Sequence, residues 1–62
     1  MTFHEIVENC VAEIEREAAA MGDGFGRDIA VDAINRHGRS LCERDQDYLY
    51  QEVMFTIEPY LA

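Results

Sequence analysis

The stretch Thr2-Phe3-His4-Glu5-Ile6-Val7-Glu8-Asn9-Cys10-Val11-Ala12-Glu13-Ile14 decides the fold class. Phe3, Ile6, Val7, Cys10, Val11 and Ile14 fall at three- and four-residue steps, and Ala18 and Met21 continue the series. That period puts these apolar side chains on one face of a helix. Thr2 with Glu5 forms a capping box, in which each side chain takes up an unpaired backbone N–H of the first turn. Gly22 suits the left-handed residue that ends a helix. The pattern predicts a long helix over 2–21. Glu5, Glu8 and Glu15 lie on its solvent side, while Glu13 and Glu17 flank the apolar stripe.

Beyond it, Gly22-Asp23-Gly24-Phe25-Gly26 reads as an irregular connector, with Phe25 as an anchor into the core. A short helix is expected over 28–37, with Ile29, Ala30, Ala33, Ile34 and His37 sharing a face and Gly38 ending it. A strand over 27–31 competes, because Ile29 and Val31 alternate with polar or small residues. The last helix is expected over 40–58. Ser40 with Glu43 offers a second capping box, Asp45 a rival start, and Pro59 discourages continuation. Leu49, Tyr50, Val53, Met54 and Ile57 make one apolar face of that helix. Leu41, Tyr48 and Phe55, seven apart, make a second stripe on roughly the opposite side. A helix apolar on two sides is buried on both, or offers one to a partner. The expected fold is therefore a small all-α domain of three helices, long, short and long, dimeric through Leu41, Tyr48 and Phe55.

Sixty-two residues make one domain. A chain this short hides only about 60% of the surface its unfolded form exposes, which leaves a lone monomer marginal and favours a partner subunit. The content, 48% hydrophobic and 29% charged, is that of a globular chain rather than a disordered one. No apolar run approaches the length of a membrane span. The residues after Met1 carry neither a basic start nor an apolar core, so no signal peptide is expected. With only Cys10 and Cys42 to oxidise, a cytoplasmic location is the expectation.

Charge is the most unusual property. Thirteen acidic residues face five basic ones, giving −8 at pH 7, and every basic residue is arginine. Residues 1–25 sum to −5, residues 26–44 to +1 and residues 45–62 to −4. Such a body repels nucleic acid and anionic membrane, and it attracts basic surfaces.

The motifs that could carry chemistry fail on spacing. Gly22, Gly24 and Gly26 follow a helix rather than a strand and lack the lysine of a phosphate loop. Asp23, Asp28 and Asp32 do not match a calcium loop. His4, Cys10, His37 and Cys42 could supply four metal ligands, but their spacings match no common zinc pattern, so no metal or other cofactor is expected. Ser40 and Cys42 near His37 suggest a nucleophile. A helical body of this size nevertheless leaves little room for a pocket of a few hundred cubic ångströms, so no enzyme is expected.

Three functions remain. The first is an acidic inhibitor or adaptor that presents Glu5, Glu8 and Glu15 to a basic protein surface that normally meets nucleic-acid phosphates. In size, acidity and lack of a catalytic motif the chain looks like the small phage-encoded inhibitors of CRISPR or restriction systems, though no residue motif carries the likeness. The second is a helical homodimer or small subunit of a larger assembly. The third, a DNA-binding regulator, would need Arg27, Arg36, Arg39 and Arg44 gathered on one face.

Overall fold

A computed structural model describes residues 2–61. Three helices follow one another: α1 (Phe3–Met21), α2 (Arg27–His37) and α3 (Glu43–Leu61). Among the described residues there is no strand, so the helical reading of 27–31 holds. That segment joins α2 because the Gly26 carbonyl accepts from the backbone N–H groups of Ile29 and Ala30.

The start of α1 follows the capping box. Thr2 N–H donates to Glu5 Oε1 at 3.1 Å, and Glu5 N–H donates to Thr2 Oγ1 at 3.2 Å. The helix ends at Gly22, whose φ of 56° is a positive value that glycine adopts without strain and whose N–H donates to the Ala18 carbonyl. The glycine-rich connector is more regular than expected, since Gly22–Gly24 closes one 3₁₀ turn. Met21 also departs from expectation. It is 43% exposed at the end of α1, with its side chain beside Gly24.

The boundaries of α3 differ from the reading over 40–58 at both ends. Ser40 lies in the turn after α2, so it cannot cap a helix that begins at Glu43. The local signal is overridden by Gln46, whose side-chain amide donates to the carbonyls of both Gly38 and Leu41 at 3.0 Å and fixes the connector one turn longer. At the other end Pro59 lies inside α3. A proline there removes only one hydrogen bond of the last turn. Tyr60 and Leu61 hold that turn down, the first by a bond to Glu15 and the second by packing against the core.

The core comprises Cys10 and Ile14 of α1, Ala30, Ala33 and Ile34 of α2, and Leu49, Val53 and Ile57 of α3. Half-buried Phe3, Ile6, Val7, Val11, Phe25, Leu41, Tyr50, Met54 and Leu61 pack around it. The two alanines let α2 approach its neighbours closely. So does Gly38, where an added Cβ would stand 2.9 Å from Leu49 Cδ2 and 3.3 Å from the Ile34 carbonyl. No polar or charged side chain among the described residues is buried. Burial of each large aliphatic side chain stabilises the fold by about 1.5–3 kcal/mol, so cohesion rests on these few contacts.

Helix direction matters for the surface. Phe3 meets Tyr48 with ring centroids 5.6 Å apart, edge to face at 88°. Glu15 meets Tyr60 at 3.0 Å. Both pairs are 45 residues apart in sequence, so α1 and α3 run parallel, with α2 returning between them. No helix among the described residues is long and apolar enough to cross a membrane.

Candidate acidic binding face

The three carboxylates of α1 that the sequence singles out are exposed, and each has a neighbour within the chain. Glu5 belongs to the helix start. The bond from the Thr2 backbone N–H, reinforced by the Thr2 hydroxyl, holds its carboxyl below the ordinary range. Glu8 lies 2.9 Å from His4 Nε2, both side chains being exposed. Glu15 accepts from the Tyr60 hydroxyl, and that bond to a carboxylate pushes the phenol above its usual value. Glu5 therefore serves the fold, while Glu8 and Glu15 keep open sides toward solvent.

An ionic cluster joins α1 to α2. Arg36 Nη2 donates to Glu13 Oε2 at 2.7 Å and lies 3.6 Å from Glu17 Oε1, and its Nε donates to Asp32 Oδ2 at 3.3 Å. The other Glu13 oxygen lies 3.1 Å from His37 Nε2. Hydrogen bonds from His37 and then Arg36 outweigh partial burial and hold the Glu13 carboxyl below its ordinary value. Sequence reading placed Glu13 and Glu17 beside the apolar stripe but did not connect them to Arg36. Only the antiparallel return of α2 shows that pairing.

On α3 the position is reversed. Among the described residues Glu43, Asp45, Asp47, Glu52 and Glu58 form no ion pair. Asp45 borders the same surface depression as Phe3 and Tyr48, so its side of α3 faces α1. Glu52, two turns further on, shares that side. Glu8 and Glu15 are likewise two turns apart, on the side of α1 where Glu15 reaches Tyr60. Seven residues of helix span about 10.5 Å, and packed helices lie about 8–10 Å apart. With α1 and α3 in the register set by Phe3–Tyr48 and Glu15–Tyr60, Glu52 stands about level with Glu8, Asp45 lies two turns to one side of them and Glu15 two turns to the other, so the four carboxylates form one staggered acidic band along the α1–α3 seam. Asp45 and Glu52 were not singled out in the sequence, where their alignment with α1 has no local signature.

The second apolar stripe is divided. Tyr48 is 58% and Phe55 80% exposed on the outer side of α3. Leu41 lies in the connector before the helix and packs against the core, which takes it out of the stripe.

The arginines between 27 and 44 are not gathered for phosphate contact. Arg36 is held by three carboxylates, and Arg27 Nη2 donates to the Tyr50 hydroxyl at 3.1 Å. Arg39 follows α2, and Arg44 lies in the first turn of α3.

The reactive side chains are dispersed. Cys10 is fully buried, and burial pushes its thiol up to about 11, while Cys42 is exposed. Among the described residues no three His, Cys, Asp or Glu side chains converge as a metal site. Surface depressions are larger than the sequence led one to expect. One of about 390 Å³ is lined by Gly22, Asp23, Phe25, Gly26, Arg27, Tyr60 and Leu61, and another of about 430 Å³ by Arg27, Met54, Phe55, Glu58 and Leu61. Both are open to solvent. No protein-family model, no curated protein and no solved structure matches the chain.

Proposed function

We propose that this chain is a non-enzymatic acidic binding module, an inhibitor or adaptor, that presents Glu8 and Glu15 of α1 together with Asp45 and Glu52 of α3 to a basic protein surface. The observation that carries this reading is the parallel alignment of α1 and α3. It places the exposed carboxylates of both helices along one seam, staggered so that Glu52 stands about level with Glu8, and His4 is the one basic group within 4 Å of any of the four among the described residues. Rows about 10 Å apart are on the scale of the ~12 Å major groove, across which basic proteins meet phosphates on both strands. A surface built for phosphates offers arginine and lysine at such separations, and carboxylates can occupy them. Long-range attraction by a −8 body would speed the encounter.

The test is retention of a basic nucleic-acid-binding protein on the immobilised chain, followed by elution. The expected result is binding at low salt, release at high salt, and displacement by duplex DNA. The variant Glu8→Gln/Glu15→Gln/Asp45→Asn/Glu52→Gln should retain much less of that protein. Retention equal to that of the unsubstituted chain, or binding indifferent to DNA, refutes the reading.

A further inference from the structure

The outer face of α3 carries a second pattern. Arg44, Gln51 and Glu58 recur every seven residues beside Tyr48 and Phe55, so these five side chains form one strip along the helix. All five are exposed, and Phe55 is the most exposed of the large apolar residues at 80%. Within the described chain Arg44 and Glu58 have no ion-pair partner. The strip is complementary to its own reversal. Turned end for end about Gln51, it lays Arg44 over Glu58 and Gln51 over itself, and it brings Tyr48 within one residue, about 1.5 Å along the axis, of Phe55.

We infer that a second copy of this chain covers this strip, with α3 packed antiparallel on α3 about a two-fold axis at Gln51. A two-fold contact repeats every interaction, so each copy gives one Arg44–Glu58 pair and one Tyr48–Phe55 contact. Parallel packing would instead set Arg44 on Arg44 and Glu58 on Glu58. An unrelated partner would have to supply an acid at one end of the strip and a base at the other, which the second copy already holds. Phe55 of the second copy then lies against the notch bordered by Phe3, Asp45 and Tyr48. Aromatic rings already meet edge to face at that notch.

The pairing has a consequence for the acidic face. A two-fold axis perpendicular to the plane of the paired helices keeps corresponding flanks on the same side. The Asp45 and Glu52 flank of one copy therefore adjoins that of the other, and the two acidic faces become one. This consequence rests on the proposed function, whereas the pairing itself does not. The sign of the salt effect separates them. Two copies of charge −8 repel at long range, so added salt tightens self-association while it loosens binding to a basic partner.

The test is sedimentation equilibrium of the purified chain across micromolar to millimolar concentration. A monomer–dimer equilibrium is expected, with Phe55→Ala monomeric and still helical by circular dichroism. Arg44→Glu and Glu58→Arg should each weaken dimerisation roughly tenfold, since two exposed ion pairs become two like-charge contacts. Mixed together, the two single variants should pair with each other in preference to themselves, and the doubly exchanged chain should recover the original affinity. A monomer at every concentration, single variants that dimerise like the original chain, or a mixture without preferential pairing would each overturn the inference.

Discussion

Glu15 of α1 and Tyr60 of α3 stand 45 residues apart in sequence and 3.0 Å apart in space, with the phenol donating to the carboxylate. Together with Phe3 and Tyr48 at the other end of the seam, this contact fixes α1 parallel to α3. It also ties the last turn of α3, where Pro59 has removed a backbone bond, to the body of the domain.

The carboxylate beside Tyr60 raises its phenol above the usual value. Spectrophotometric titration of the chain should therefore show a tyrosine component above the ordinary phenol range, and Tyr60→Phe should remove it. The same substitution leaves Glu15 exposed without its donor, and exchange of the residue 60 and 61 backbone amides should rise. A titration curve whose highest component persists in Tyr60→Phe would show that the bond does not form in solution.

The Glu13 cluster predicts a defined response to acid. Its carboxyl lies below its ordinary 4.5 in the folded chain, so the unfolded chain takes up the proton first as pH falls. The contribution to stability is present above about pH 4.5 and is lost as pH drops through the folded value. At neutral pH Glu13→Gln should be less stable by about 1–2 kcal/mol, the range for a charge-assisted hydrogen bond that is partly solvated. The gap between the two chains should close in acid. General relief of the −8 self-repulsion acts on both chains alike, so the difference between their melting temperatures isolates Glu13. A gap that stays constant down to about pH 3 would contradict the assignment.

Thiol reactivity should divide the two cysteines. Cys42 is exposed, whereas Cys10 is enclosed and its thiol is pushed up to about 11. A disulfide reagent should label one thiol quickly in the native chain and the second only on unfolding. Cys10→Ala should destabilise by about 1–3 kcal/mol through the cavity it leaves. Rapid labelling of both thiols in the folded protein would show that the packing around Cys10 opens readily.

Much of the fold was legible because its signals are local. Thr2, Glu5 and the apolar series from Phe3 to Ile14 are each readable within a few residues, and α1 formed as they indicate. Where reading failed, a distant residue had overruled a nearby one. Ser40 lost its capping role to Gln46, whose amide holds two carbonyls of the connector. Pro59 did not stop α3, because Tyr60 and Leu61 are anchored beyond it. The candidate site was legible by half. Glu8 and Glu15 could be placed on one side of α1 from spacing alone. That Asp45 and Glu52 join them depends on α1 and α3 running parallel, which no short segment of sequence encodes. The role of Glu13 stayed hidden for the same reason, since its partners Arg36 and His37 arrive from 23 and 24 residues away.

Binding through the acidic face of α1 and α3 is read out by a salt series of titrations. The basic protein retained by the immobilised chain would be titrated with the original chain and with Glu8→Gln/Glu15→Gln/Asp45→Asn/Glu52→Gln. The original chain should bind with an affinity that falls steeply as salt rises, and the variant should bind more weakly with a flattened salt dependence. Equal affinities and equal salt dependence for the two chains would contradict the account.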